Sequence, residues 1–412
     1  MLGLRWGLVL ALSILGCSGH GTTEPVAGAP ASSAVTTPTP DGGATPVTTA
    51  PPGESSITLD DAAIAAELQA AGAPGASVAI VKHGKVVLTK GYGSADLDAK
   101  RPVTPDTLFM LASISKTFVA TALLQLAEKS QAGLAVLDQD VDASGVLPFS
   151  VRNPNYPAVP ITYRMLLTHT SSLIDGAYFQ NFDWPLGDSP VSLTSFLTEY
   201  VADPANWSST APGTDYAYSN SGASLLGFIV ERMTKKNLQA YSTEAIFSPL
   251  AMPESSWFLT GIDPTHIAMP YTMEGGQYRA TGQYGFPDYP DGQLRTSAAQ
   301  LARFLIMLAG DGSLDGKRLL APSTLAEMRR RQLPAPNDYQ ALMLFYAPAN
   351  GHDVLGHNGA TLGGSTDMWF DPKTGAGWVL LTNGDAYLDG TDAQVDAMTR
   401  LNELLARAAD AP

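Results

Sequence analysis

The chain has 412 residues, with 24 Lys and Arg against 39 Asp and Glu, a formal charge of −15. That acidity excludes nucleic acid as a partner, because phosphates need a basic face. Hydrophobic residues at 45% and charged residues at 15% describe a packed domain rather than a disordered chain. Cys17 is the single cysteine, so an intrachain disulfide and a cysteine-based zinc or iron–sulfur site are both excluded.

The amino terminus reads as an address. Residues 6–16 are apolar apart from Ser13, too short to span a bilayer and the size of a signal-peptide core. The run ends in Ile14-Leu15-Gly16-Cys17, which resembles the bacterial lipobox, with Cys17 as the lipidated residue. From 18 to 56 the chain is rich in Thr, Pro, Ala and Gly and has no Lys, Arg or large aromatic residue. Such a stretch cannot bury enough apolar area to offset chain entropy, so it reads as a flexible tether. The expected order is a leader over 1–17, a tether over 18–56 and a folded domain over 57–412. The expected location is the cell envelope, with the protein held to a membrane through its lipid.

Within the domain, 60–71 has the pattern of a helix with an Asp cap and Gly72 beyond its end. Runs 76–81 and 85–90 are β-rich and separated by His83-Gly84, a hairpin signal. The middle is helical, with candidates at 116–129, 192–201, 222–233 and 296–308. Three more strands are expected at 341–347, 366–370 and 378–382. A closing helix is expected over 392–409, with Val395, Met398, Leu401, Leu404 and Leu405 on one side. The pattern predicts an α+β fold: a mostly antiparallel sheet built from both chain ends, flanked by helices, with a helical region inserted between them.

Three short constellations carry the chemistry. Ser113-Ile114-Ser115-Lys116 heads an apolar helical run, and residues three apart on a helix share a face. A lysine in apolar surroundings can accept a proton, and a helix N-terminus favours a nucleophilic oxygen. Tyr218-Ser219-Asn220 offers a phenol for proton transfer and an amide able both to donate and to accept. Ser219 or Asn220 also suits the cap of the helix that follows. His357-Asn358-Gly359 stands just before the expected strand at 366–370. There Gly359 permits close backbone approach, and the Ala360 N–H can face an oxyanion. His352 and His357 have no further metal-ligand pattern around them.

Together these boxes, in this order, resemble the serine β-lactamase-like family of the class C type, which also contains DD-peptidases and esterases. Residues 160–173 (PITYRMLLTHTSSL), 246–252 (IFSPLAM) and 292–304 (GQLRTSAAQLARF) resemble its connecting segments, and the likeness runs over most of 57–407. The resemblance implies Ser113 as nucleophile, Lys116 as its base partner and Tyr218 as base and proton shuttle. It implies Asn220, His357 and Gly359 as substrate-binding groups, and the N–H groups of Ser113 and Ala360 as an oxyanion hole. It implies no metal and no organic cofactor. His169 stands in a connecting segment and is not expected in the site. Ser172 stands where the family usually has Gly. His357 stands where true β-lactamases usually have Lys, which removes a fixed cation for a substrate carboxylate.

The expected function is therefore an exported serine hydrolase acting through an acyl-enzyme on esters, D-amino-acyl peptides or β-lactams, a small molecule or a cell-wall peptide. A Ser-His-Asp α/β-hydrolase needs a G-x-S-x-G elbow, and the chain has none. The alternative is a non-catalytic cell-surface binding module on the same fold, against which the intact boxes count. A lowered phenol pKa is expected at Tyr218, from Lys116 beside it. Two aromatic groups, Tyr178, Phe179, Phe182 and Trp184, then Tyr284, Phe286 and Tyr289, are candidates for either an acyl pocket or loop packing. Nothing in the sequence sets the oligomeric state.

Overall fold

The structure is a computed structural model and describes residues 57–180 and 186–411. Cys17, the leader and the 18–56 stretch lie outside the described residues, as do Phe182 and Trp184.

Helix α1 (Asp61–Ala70) starts where Asp60 accepts the Ala63 N–H at 3.0 Å. Strands β1 (Gly75–Lys82) and β2 (Lys85–Asp96) follow. His83 and Gly84 between them both have positive φ, 49° and 70°, the two-residue turn whose twist matches paired strands. β3 (Arg101–Pro102) pairs with β2, and β4 (Leu108–Met110) leads out of the sheet. The inserted region holds α2 (Ser115–Lys129), α3 (Tyr163–Leu167), α4 (Ala177–Gln180), α5 (Leu193–Ala202), α6 (Asn220–Thr234) and α7 (Leu238–Ser242). It continues through the hairpin β5 (Tyr271–Glu274) and β6 (Gln277–Ala280) to β7 (Arg295–Ser297), which pairs with β4, and then α8 (Ala298–Ala309). A small hairpin, β8 (Ser313–Leu314) and β9 (Lys317–Arg318), and α9 (Pro322–Arg329) complete it. The chain then returns as β10 (Phe345–Ala349), β11 (His352–Thr361), β12 (Gly364–Phe370) and β13 (Gly377–Thr382), and closes with α10 (Asp392–Asp410).

The main sheet has seven strands in the order β10-β11-β12-β13-β1-β2-β3, all neighbours antiparallel. β13 lies beside β1 with Ala76 opposite Thr382, so the two ends of the chain meet in mid-sheet. This is the expected α+β architecture with its inserted helical region. Alternate residues point to two cores. Ala79, Val81, Met368, Phe370 and Leu381 face the α2, α6 and α8 side, where Phe118 stacks on Phe304 at 3.8 Å between ring centres. Val78, Ile80, Trp369, Trp378 and Leu380 face α1 and α10.

Several boundaries differ from the sequence expectation, among them the end of β2, which runs to Asp96 rather than 90. The strand expected at 341–347 begins only at Phe345, after Met343 at φ 51°. The helix expected from 296 begins at Ala298, because 295–297 are drawn into pairing with β4. His357 to Gly359 precede the expected strand, β12, and also lie inside a strand of their own, β11. Gly, Asn and His are poor strand formers, and pairing with β12 overrides that local preference.

One polar cluster pins the sheet to α10. The buried Asp367 carboxylate accepts from Trp369 Nε1 (2.9 Å), Tyr387 Oη (3.0 Å) and Asn402 Nδ2 (3.0 Å). Asn402 Oδ1 in turn accepts from Trp378 Nε1 at 2.8 Å. Asp367→Ala removes the acceptor that these donors share, and each buried polar group left unmatched costs about 1–3 kcal/mol. Chemical denaturation at pH 7 is expected to show a loss of roughly 2–5 kcal/mol. A loss below about 0.5 kcal/mol, the scatter of an ordinary surface change, would contradict this role for the cluster.

Candidate active site

Ser113 sits on a single 3₁₀ turn, Ala112–Ile114, between β4 and α2. It is not on the first turn of the helix itself, as the sequence pattern implied. Ala112 has φ 48°, a left-handed value rare outside glycine, so the backbone reverses sharply just before Ser113. The helix then carries Lys116 beneath it. Lys116 is fully buried, and its Nζ donates to Ser113 Oγ at 2.9 Å and to the Asp291 carbonyl at 2.7 Å. Two acceptors on opposite sides hold the amine against the serine oxygen.

Tyr218 stands two residues before α6, whose cap is Ser219: its Oγ accepts the Gly222 N–H at 2.9 Å. The Lys116 Nζ lies 5.3 Å from the centre of the Tyr218 ring. Tyr218 Oη is buried and makes no hydrogen bond of normal geometry among the described residues. Burial raises the Tyr218 pKa, and the opposing pull of Lys116 and Ser113 does not cancel it. The lowered value expected from the sequence is therefore corrected: desolvation of a phenolate outweighs one neighbouring ammonium.

His169, expected to be a mere connector, brackets Tyr218. Its carbonyl accepts the Ala217 N–H (2.9 Å), and its Nδ1 accepts the Ser219 N–H (3.2 Å). Its ring lies 4.4 Å from the Tyr218 ring, tilted by 31°. An Nδ1 that accepts must be unprotonated. Burial, with Lys116 and His357 nearby, pushes the His169 pKa well down. Ser172, four residues after Thr168, has φ 64°, which accounts for the glycine usual there, and its Oγ accepts from Asn153 Nδ2 at 2.9 Å.

Asp175 is a second residue that the sequence pattern did not single out. Its carboxylate accepts from Asn220 N (2.9 Å), Asn220 Nδ2 (2.9 Å) and Ser221 N (3.3 Å) at the start of α6. That clasp fixes which way the Asn220 amide faces, and it places an anion at a helix N-terminus. Burial lifts the Asp175 pKa to about 6. The carboxylate form, and the clasp with it, is lost as pH falls through that value.

The opposite wall is β11. β10 pairs with β11 only from His352 to Gly356, so 357–361 run on past the end of that neighbour. The Ser113 turn packs on this segment. A Cβ added to Gly359 would lie 2.4 Å from the Leu111 carbonyl oxygen and 2.9 Å from Ala112 Cβ, so glycine is required there. Ala360 follows, half-buried. His357 is buried between Phe345 (4.7 Å between ring centres) and Tyr218 (6.3 Å). Burial and Lys116 push its pKa down to about 3, so the ring is neutral.

Ser113, Lys116, Tyr218 and His357 thus come together where the inserted region meets β11, with Gly359 against the Ser113 turn and Ala360 next to it, while Asn220, two residues after Tyr218, is held by Asp175. Cys17 lies outside the described residues. Tyr284, Phe286 and Tyr289 are buried in the core, where Tyr284 lines a small cavity with Met110, Thr361 and Leu362, and Tyr178 donates to Asp288 Oδ1 at 3.3 Å. Among the described residues no group of three or more His, Cys, Asp or Glu is placed to hold a metal.

The Asp175 clasp generates a prediction. Asp175→Asn keeps the fold and one acceptor for the backbone but loses the carboxylate oxygen that holds the Asn220 amide. A misplacement of this kind lowers kcat/KM by about tenfold to a hundredfold. A steady-state kcat/KM within twofold of the parent would mean that other contacts set Asn220.

Comparison with known proteins agrees with this architecture. Residues 61–400 match the Beta-lactamase family. Protein flp from Staphylococcus aureus (strain NCTC 8325 / PS 47) is 31% identical over 247 residues, 60% of this chain and 47% of that protein. Esterase EstB from Burkholderia gladioli is 31% identical over 235 residues, 53% of this chain and 57% of that one. These matches span about half the length of the curated relatives. Among solved structures, D-amino acid amidase from Ochrobactrum anthropi SV3 superposes with a TM-score of 0.65 at 25% identity, covering 84% of this chain and 98% of that one. The fold is that of serine hydrolases, and the chain belongs to the β-lactamase family.

Proposed function

We propose that the protein is an exported serine hydrolase that forms an acyl-enzyme on Ser113 and takes esters and D-amino-acyl amides or peptides ahead of β-lactams. The observation that carries this reading is the Lys116 amine, buried and held 2.9 Å from Ser113 Oγ by the Asp291 carbonyl. In the proposed reaction the reacting form holds Lys116 as the free amine: Ser113 Oγ attacks the substrate carbonyl carbon as its proton passes to the Lys116 lone pair. The oxygen of the tetrahedral intermediate is held by the backbone N–H groups of Ser113 and Ala360. Tyr218, protonated at rest, hands its proton to the departing alcohol or amine and is reprotonated from Lys116. Water then enters by the same route in reverse and releases the acid. Asn220 orients the acyl group, and Gly359 lets the Ser113 turn approach β11.

His357 supports the order of substrates. A penicillin carries a carboxylate near its reactive carbonyl, and a charge-assisted hydrogen bond to it is worth about 1.5–3 kcal/mol. A buried neutral imidazole supplies no such charge. The names of the relatives, an esterase and an amidase, fit the same preference. The rival reading, a binding module without turnover, gives no reason for a lysine amine to be buried against a serine oxygen.

Two tests follow. Ser113→Ala is expected to abolish p-nitrophenyl butyrate turnover and labelling by a fluorescent phosphonate; full labelling of the variant would refute the nucleophile. We also propose that Cys17 carries a lipid that holds the enzyme at the membrane, with 18–56 as tether. Cys17→Ser is expected to move the protein from the membrane fraction to the soluble one. An unmodified mature N-terminus elsewhere, found by mass spectrometry, would refute the anchor.

A further inference from the structure

The ring of His357 has a defined polarity. Its Nδ1 lies 2.5 Å from the carbonyl oxygen of Asn358. A carbonyl only accepts, so Nδ1 carries the ring proton. The ring is neutral, buried beside Lys116, and a neutral imidazole has one N–H. The other nitrogen, Nε2, is therefore a bare acceptor. It is buried and has no hydrogen-bond partner among the described residues. The Asn358 carbonyl thus fixes which ring nitrogen is the acceptor.

The electrostatic surroundings point the same way. Two carboxyls, Asp288 and Asp291, are buried near Lys116 and a third, Asp175, is half-buried at the start of α6; Lys116 acts on Asp175, Asp291, Tyr218 and His357. Asp288 Oδ2 and Asp291 Oδ1 have no hydrogen-bond partner among the described residues. Burial pushes the Asp288 carboxyl well up and the Asp291 carboxyl to about 7, and the same desolvation disfavours a further anion placed here. A carboxylate set against Nε2 also puts two acceptors face to face.

His357 lies beside Tyr218, the group that hands a proton to the leaving group in the reaction proposed above. It therefore flanks the side from which the leaving group departs. We propose that His357 Nε2 is a specificity element that reads a hydrogen-bond donor on the leaving group. The site then favours substrates whose leaving group carries an N–H or O–H, such as a carboxamide, and refuses those carrying a carboxylate there, which narrows the D-amino-acyl peptides proposed above to those whose leaving group has no free carboxylate at that place. This inference rests on Ser113 as the acylated nucleophile.

The test compares two esters with a common acyl group, the butyryl esters of glycolamide and of glycolate. Their leaving groups differ only in carboxamide against carboxylate, and both form the same butyryl-enzyme. The full chain is expected to take the glycolamide ester with a kcat/KM at least tenfold higher. His357→Lys is expected to shrink or invert that ratio. Histidine-labelled protein examined by ¹⁵N NMR at pH 7 is expected to show His357 protonated at Nδ1 and bare at Nε2. Equal or better use of the glycolate ester by the unmodified protein, or a proton on Nε2, would overturn the inference. So would turnover of p-nitrophenyl butyrate with neither glycolyl ester accepted. If p-nitrophenyl butyrate itself fails to acylate Ser113, the reading of the nucleophile fails instead, and the two failures are told apart.

Discussion

The Lys116 amine between Ser113 Oγ and the Asp291 carbonyl is the contact on which the rest of the site depends. Its two acceptors come from distant parts of the chain: one from the turn before α2, the other from the segment leading into β7. Burying a lysine without a carboxylate in direct contact is costly, and the fold accepts that cost only where the surrounding atoms are fixed. The helical region supplies the fixing. α2 is buried along most of its length, with Phe118 stacked on Phe304 of α8. The Ala112 backbone and the bare Gly359 let this turn sit directly on β11. A packed helix thus becomes a rigid mount for one amine and one hydroxyl.

The three walls of the cleft are held by different kinds of force. The Ser113 wall depends on apolar packing. The Tyr218 wall depends on backbone hydrogen bonds to His169 on both sides of the tyrosine and on the Asp175 clasp at the start of α6. The His357 wall depends on sheet pairing, because β11 is fixed by β12 along its length while β10 stops at Gly356. The consequence is a strand segment whose backbone continues beyond its outer neighbour, next to the Ser113 turn. An oxyanion needs backbone donors at such a place.

Much of this arrangement was legible in the chain. Ser113 and Lys116 are three residues apart, so local geometry alone puts them on one side of a turn. Ser219 is a strong cap before an apolar helical run, and the cap locates Tyr218 and Asn220 beside it. His83-Gly84 between two β-rich runs is a turn with a mechanism. What was not legible depends on partners far along the chain. Asp175 is one aspartate among many until α6 is seen to start against it. His169 reads as part of a connector because its bonds go to residues about fifty positions away. The strand character of 352–361 was hidden by its Gly, Asn and His content, which only pairing with β12 overrides. The direction of the Tyr218 shift depends on how completely the ring is buried, and the tautomer of His357 on where the Asn358 carbonyl points; neither is a property of composition or spacing.

The central claim is that covalent chemistry runs through Ser113 with Lys116 beneath it. Its most direct measurement is a rapid-quench experiment on the full chain with p-nitrophenyl butyrate, followed by proteolysis and mass mapping of the trapped enzyme. The account predicts a burst of about one p-nitrophenol per chain and a butyryl group on the peptide that contains Ser113. Turnover with no burst and no adduct, or a butyryl group carried by another residue, would contradict it.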